Sequence, residues 1–244
     1  MGIPSESTVA MVMTTQRRRR HRADILNEVE TIIKDQRSKL LNEDDISLWK
    51  QPDGKYKPVF KTKFTWEVIR RKEQRVSWWK GIWFKHHTPK YAFFHWIAIH
   101  NRLATGDRMQ TWNRGVNSAC ILCRASQETR NHLFFECSYS SEVWSLLMSG
   151  LLQTSFTSKW SELLVLIMDN SSDFLTNFLT RYTLQATIHS IWRERNERRH
   201  GAIATPAREL GKLLDRHVRN RCCSIQQLGD QNYAGSLSRW FATR

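Results

Sequence analysis

The feature that most constrains this chain is a group of three cysteines and one histidine within eighteen residues: Cys120, Cys123, His132 and Cys137. Their spacing, Cys-x2-Cys-x8-His-x4-Cys, is typical of a four-coordinate structural zinc site, because the two-residue gap lets both sulfurs of a tight turn face one ion. Three unrelated buried thiols beside a surface histidine are the alternative, but few metal-free chains have this spacing. No fifth ligand suggests itself. We therefore predict one zinc ion that stabilises the fold, with His132 and Cys137 at the start of a following helix.

The two remaining cysteines, Cys222 and Cys223, are adjacent and cannot chelate an ion as a Cys-x2-Cys turn does. Cys222 shares one face of a predicted helix with Leu214 and Val218, so we interpret it as a core thiol. Cysteines grouped for a metal, without a secretory sequence, indicate a reducing compartment. No apolar run approaches the roughly 20 residues that span a bilayer, so no membrane segment is expected.

Aromatic and basic motifs surround the four candidate ligands. Those nearest to them are Trp83-Phe84, Pro89-Lys90, Phe94, Trp96, residues 101–109 (Asn-Arg-Leu-Ala-Thr-Gly-Asp-Arg-Met), Trp112, residues 132–137 (His-Leu-Phe-Phe-Glu-Cys), Tyr139-Ser140 and Val143-Trp144. More distant ones are Asp45-x-Ser-Leu-Trp49, Gly54-Lys55-Tyr56 and residues 191–198 (Ile-Trp-Arg-Glu-Arg-Asn-Glu-Arg). With the ligands, these motifs resemble the reverse transcriptase zinc-binding domain of plant non-LTR (LINE-type) retrotransposons, and the resemblance covers most of the chain.

That resemblance implies a zinc cofactor and a nucleic-acid partner, because the domain ordinarily follows a polymerase in a long polyprotein and helps it engage its RNA template or target DNA. No polymerase or endonuclease segment precedes the domain in this sequence, so we expect binding without polymerase activity. No nucleophile–base pair, glycine-rich phosphate loop or set of paired carboxylates appears, and we do not predict an enzyme. Asp44-Asp45 lacks the surroundings of a polymerase carboxylate pair.

The charge of the chain favours the same partner. Lys and Arg number 38 against 23 Asp and Glu, a formal net charge of +15, which points to a polyanion. Twelve basic and three acidic residues fall within residues 50–90. Aromatic residues are interleaved with these cations, but we assign them to the core and expect the cations to bind. The candidate nucleic-acid-binding residues are Lys55, Lys57, Lys61, Lys63, Lys85, Lys90, Arg102 and Arg108.

Hydrophobic periodicity predicts a mainly α fold: a helical domain with a short β-hairpin and an embedded Cys3His zinc knuckle. We expect a flexible basic tail at residues 1–22, a hairpin, helices and the zinc-binding domain at 23–150, a C-terminal helical region at 151–228 and a frayed tail at 229–244. The hairpin should pair residues 46–50 with 55–60 around a proline–glycine turn. Helices are predicted at 24–41, 62–72, 140–150, 158–168, 172–200 and 206–228, with Thr62 as the cap of the second and Gly150 as the end of the third. A further helix should begin at Pro89 and bury the face formed by Phe93, Trp96, Ile97 and His100.

Two questions stay open at the level of sequence. Five arginines fall at residues 17–22, which fits either a nuclear import signal or a solvated helix leader; without import the protein would be cytoplasmic. The module could also be a structural or protein-interaction platform that the knuckle stabilises, or a retroelement relic without a retained function. We expect neither a membrane nor a small-molecule substrate as partner.

Overall fold

The computed structural model describes residues 3–15, 17, 19–37, 46–169 and 171–243. It divides into two compact units, Met1–Glu73 and Gln74–Arg244. The division between them coincides with none of the boundaries predicted after residues 22, 150 and 228. Asp44-Asp45 and the end of the predicted helix 24–41 lie outside the described residues.

In the first unit the described residues form three helices and a hairpin: α1 (Val9–Thr15), α2 (Asp24–Arg37), β1 (Trp49–Lys50), β2 (Tyr56–Lys57) and α3 (Thr62–Ile69). The two strands are antiparallel, with Trp49 opposite Lys57. Gly54 takes a left-handed φ of 81° in the turn, which glycine adopts without steric cost. The hairpin is confirmed, although its paired segments are shorter than predicted. Thr62 is not the cap of α3, because Lys61 occupies that position without a side-chain hydrogen bond.

The second unit is helical. It contains α4 (Trp79–Ile82), α5 (Pro89–Ile99), α6 (Gly106–Trp112), a π-helical turn (His132–Glu136), α7 (Ser138–Leu152), α8 (Trp160–Met168), α9 (Phe174–Arg199), α10 (Ala207–Gln227) and α11 (Ser236–Phe241), with 3₁₀ turns at Gln153–Ser155 and Gln231–Tyr233. Pro89 occupies the first turn of α5, where its missing N–H costs nothing. Asp173 caps α9 by accepting hydrogen bonds from the backbone N–H groups of Leu175 and Thr176.

The core of this unit is built around α9, which packs against α5, α7, α10 and α11. The predicted apolar face of α10 is confirmed, since Leu214, Val218 and Cys222 are buried. Cys223 is exposed. The mainly helical fold with a two-stranded hairpin and a Cys3His cluster is therefore confirmed.

The predicted buried face of α5 is only partly right: Trp96 and Ile97 are half-buried, and Ile97 packs against the core, but Phe93 and His100 are not buried. Ala92, His95 and Ala98 are the buried residues, whereas the Phe93 side chain is 54% exposed and His100 is exposed. Nearly every position of this helix is apolar or aromatic, so its periodicity does not single out one face. Tyr91 and Phe94 contact His189 of α9 with their rings, while Phe93 on the other side of the helix is exposed.

The end of the chain also differs from the prediction. Instead of fraying after Gly229, it returns to the core as α11, where Trp240 is fully buried and its Nε1 donates to Asp215 Oδ1 at 2.8 Å. Gly150 does not end α7, which continues to Leu152. A β-carbon at Gly150 would collide with the backbone carbonyl of Thr243, so glycine lets the returning tail pack against α7. Among the described residues, no helix combines the length and apolarity needed to cross a bilayer.

Candidate metal centre

The first two candidate ligands lie on a tight turn. Cys120 N–H donates to the Ser126 carbonyl at 2.8 Å, and Arg124 N–H donates back to the Cys120 carbonyl at 2.7 Å. Arg124 has a left-handed φ of 60°, which reverses the chain directly after Cys123. The turn therefore presents both sulfurs on the same side.

The other two ligands come from the segment that leads into α7. His132 begins the π-helical turn, and Cys137 follows it at the cap position of α7. The wider π-helical turn accommodates the four residues between them while Leu133, Phe134 and Phe135 enter the core. The expectation that both residues begin one helix is thus only partly met, because Cys137 lies between two helical segments.

The four side chains meet at one point. Their ligand atoms lie within 4.8 Å of one another. The sulfurs of Cys120 and Cys137 are 3.9 Å apart, and Cys123 Sγ lies 3.2 Å from His132 Nε2. Zinc–sulfur bonds of 2.3 Å in a tetrahedron would place two sulfurs about 3.8 Å apart. The four residues therefore fit one tetrahedral ion with nitrogen and sulfur ligands.

The protonation of these groups also suits a metal. Burial lowers the pKa of the His132 imidazole, which favours the neutral form that binds metals. The Cys120 thiol donates to the Cys137 sulfur, and this hydrogen bond lowers the pKa of Cys137 while raising that of Cys120. Zinc would bind the thiolate forms.

A buried ion pair connects the ligand loop, the segment between Cys123 and His132, to helix α9. Glu128 Oε1 accepts hydrogen bonds from Arg195 Nη2 at 2.6 Å and from Gly106 N–H at 2.9 Å. The backbone of Glu128 continues the contact, since its carbonyl accepts from Asp107 N–H and its N–H donates to Ser118. One carboxylate thus connects the ligand loop, the start of α6 and helix α9.

Gly106 is required for this arrangement. A β-carbon there would lie 2.8 Å from the Ser118 carbonyl oxygen and 3.1 Å from the Glu128 β-carbon. The Thr-Gly-Asp motif at 105–107 is therefore structural, because only glycine lets the ligand loop cross the start of α6.

A second polar group lies on the other side of the knuckle. Arg198 Nε donates to Glu194 Oε1 at 2.8 Å, and its guanidinium lies 4.4 Å from the centroid of the Tyr139 ring. Both Arg198 Nη2 and the Tyr139 hydroxyl donate to the Thr205 carbonyl. The Glu194–Arg198 pair is largely buried and connects α9 to α7.

The eight candidate nucleic-acid-binding residues are divided between the two compact units. Lys55, Lys57, Lys61 and Lys63 are exposed in Met1–Glu73. In Gln74–Arg244, Lys90 and Arg102 are exposed, Arg108 is half-buried over the Trp112 ring at 5.6 Å, and Lys85 Nζ pairs with Asp230 at 2.6 Å. Lys85 and Arg108 are therefore less available to phosphates than the prediction assumed.

Sequence reasoning missed Glu128 and Arg195, although Arg195 lies in one of the recognised motifs. The pair is separated by 67 residues, and no periodicity or spacing connects a loop acid to a helix arginine. Two acidic residues, Glu128 and Glu136, stand between the metal ligands, and the sequence gives no signal for which of them is buried.

A comparison with protein families identifies the same region. The family described as zinc-binding in reverse transcriptase matches residues 60–144, which include all four ligands. Neither the curated proteins nor the solved structures gave a match. The match and the Cys3His cluster together indicate a zinc-binding module.

Proposed function

We propose that this chain is a zinc-stabilised nucleic-acid-binding module, derived from the polyprotein of a plant LINE-type retrotransposon and lacking polymerase activity. One zinc ion would be held by Cys120, Cys123, His132 and Cys137 and would serve structure alone. The four protein ligands complete a tetrahedral shell, so they leave no position for a reacting water.

The observation that carries the proposal is a group of exposed cations in the first unit that form no salt bridge among the described residues. Lys55, Lys57, Lys61 and Lys63 are exposed, and the described residues provide none of them with an acidic partner. Glu67 is already paired with Arg70 at 2.7 Å, and Asp53 accepts from the Lys55 backbone. Four exposed ammonium groups within nine residues suit the closely spaced phosphates of a nucleic acid. Glu67 offsets part of the charge of Lys63, which helps to lower the pKa of that carboxyl after its hydrogen bond with Arg70.

The position of two of these lysines strengthens the argument. Lys61 is the cap of α3 and Lys63 lies in its first turn, where the helix dipole is positive and cations are unfavourable. The first turn of α3 contains no acidic residue to offset them. A phosphate bound there would relieve this repulsion.

Salt dependence tests the proposal. Replacing Lys55, Lys57, Lys61 and Lys63 with glutamine should flatten the plot of log affinity against log salt by about 0.7 to 0.9 for each lost phosphate contact. The matched control replaces four cations that already have acidic partners with glutamine, and so removes the same charge. They are Lys159, Arg208, Lys212 and Arg239.

Zinc content and helicity should be unchanged in both variants. An unchanged slope in the lysine variant would place the binding surface elsewhere. No binding by the native protein at about 50 mM salt, where phosphate contacts are strong, would contradict the proposal.

A protein-interaction role is the second candidate. It is favoured by an open groove of about 470 Å³ between α7, α10 and α11, in which Leu146 and Phe241 are exposed. If the protein binds no nucleic acid, this groove becomes the leading candidate for a protein-binding site.

A further inference from the structure

A cleft between α5 and α9 in the second unit includes none of the four metal ligands in its lining. It has a volume of about 390 Å³, within the range of roughly 300 to 1,000 Å³ that small-molecule sites occupy. Lys90 and Phe94 line it from α5, and His189, Trp192 and Arg193 line it from α9. The cleft therefore combines aromatic rings with cations.

The rings are held in place by their neighbours. The Arg195 guanidinium lies 4.7 Å from the Trp192 ring centroid, and Glu128 fixes this guanidinium from the other side. Phe94 contacts the His189 ring edge-to-face, with 5.1 Å between the centroids. Trp192 and Phe94 are only half-buried, so each leaves ring surface open to the cleft.

The residues that line the cleft carry more positive than negative charge, which would attract an anion. Lys90 is exposed and has no acidic partner among the described residues. Arg193 Nε contacts Glu197 Oε1 at 3.0 Å, and Glu197 is the acidic residue in the lining.

Burial and the surrounding cations affect the pKa of the histidine in the cleft. Burial, with further contributions from Lys90, Arg193 and His217, lowers the pKa of His189 to about 4. Arg193 and Arg216 also help to lower the pKa of His217, after burial. Positive groups from α5, α9 and α10 thus act on the same region, and an anion there would be attracted by all of them.

We infer that this cleft binds an unpaired base of a single-stranded nucleic acid, with the base against Phe94 and Trp192 and a neighbouring phosphate on Lys90 and Arg193. Base–aromatic stacking next to a cationic track is how proteins grip single strands, whereas a duplex keeps its bases stacked inside. The inference rests on the proposed function and gives it a preferred substrate, single-stranded RNA or DNA. In the groove beside α7 all three lining cations, Arg208, Lys212 and Arg219, are paired with an acid, whereas the cleft leaves Lys90 without an acidic partner among the described residues.

The test compares two double variants of the full chain. Lys90→Gln/Arg193→Gln changes the cleft, and Arg208→Gln/Lys212→Gln removes the same charge from the groove beside α7. The probes are short single-stranded RNA and DNA oligonucleotides containing 2-aminopurine, whose fluorescence falls on stacking, and the matching duplexes. The cleft variant should lose at least about tenfold in single-strand affinity and about 0.7 in salt slope per lost contact, while the control variant keeps both.

Crosslinking provides a second readout that does not depend on a variant. A single strand containing 5-iodouridine should crosslink the native protein within the peptides that carry Phe94 or Trp192. Loss of affinity in the cleft variant together with this crosslink supports the inference.

Two results would overturn it and are distinguishable. If the native protein binds and the lysine variant of the first unit loses salt dependence, but the cleft variant matches its control, the proposed function stands and the cleft is not the site. If the native protein binds neither single strands nor duplexes, both proposals fail, and binding of an acidic peptide instead would assign the cleft to a protein partner.

Discussion

Arg195 Nη2 lies 2.6 Å from Glu128 Oε1, and both side chains are almost completely buried. The pair joins the loop between the metal ligands to helix α9, so the ligand loop depends on the helical core as well as on an ion. Removing one partner of a buried pair leaves the other charge desolvated.

Glu128→Gln should therefore lower the free energy of unfolding by about 3 to 5 kcal/mol, because Arg195 would stay buried without a counter-charge. Urea unfolding measures the change. Glu162→Gln is the matched control, because Glu162 pairs with Lys159 at the exposed surface and its replacement should cost far less stability. Equal losses in the two variants would show that the Glu128–Arg195 pair does not hold the loop.

Burial lowers the pKa of His95 to about 3, and neither ring nitrogen has a hydrogen-bond partner among the described residues. The folded protein keeps this imidazole neutral, whereas the unfolded chain takes up a proton below about pH 6.5. The unfolded state then binds more protons, so stability falls as pH decreases from 6.5 towards 3, by at most about 1.4 kcal/mol per pH unit from this group.

His95→Leu should remove that part of the acid sensitivity and should not weaken the protein at pH 7, because an unpartnered polar ring leaves the core. The free energy of unfolding measured at pH 7 and at pH 5.5 would give the loss of stability between the two pH values. His100→Leu, at an exposed position, is the control. If His95→Leu and native protein lose the same stability between the two pH values, His95 does not titrate as its burial requires.

Trp240 anchors the end of the chain under α10, and Trp240→Ala should lower the free energy of unfolding by about 3 to 5 kcal/mol through the cavity it leaves. Thermal or urea unfolding would detect a change of this size. Phe241→Ala is the adjacent control, since that ring is 52% exposed and should cost less. A negligible effect of Trp240→Ala would restore the expectation of a frayed tail.

The described arginines of the N-terminal run, Arg17, Arg19, Arg20 and Arg22, are all exposed, as an import receptor would require. A fluorescent fusion lacking residues 17–22 should lose nuclear enrichment if the run is an import signal. A fusion with Lys159→Gln and Lys212→Gln controls for the loss of surface charge. Equal distribution of the intact and shortened fusions would show that the run is a solvated leader.

Local patterns were sufficient for the five longer helices of the second unit, α5 and α7 to α10, and for the four clustered ligands, because helical periodicity and chelate spacing are contained within short segments. Neither the bounds of the short helices α4 and α6 nor the presence of α11 were predicted. The hairpin followed from the turn at Pro52–Gly54 for the same reason. The buried face of α5 and the docking of Trp240 depended on packing against other helices, which periodicity does not encode. The Glu128–Arg195 pair is of the same kind, since its two members become neighbours only after α9 packs against the ligand loop.

The central claim is that Cys120, Cys123, His132 and Cys137 bind one structural zinc ion, and elemental analysis of the purified protein tests it most directly. We predict about one zinc per chain, loss of the metal and of cooperative unfolding in Cys123→Ser, and full retention in Cys223→Ser, whose exposed thiol lies outside the cluster. A full equivalent of zinc in Cys123→Ser, or a native protein that folds cooperatively after complete removal of zinc by a chelator, would contradict the claim.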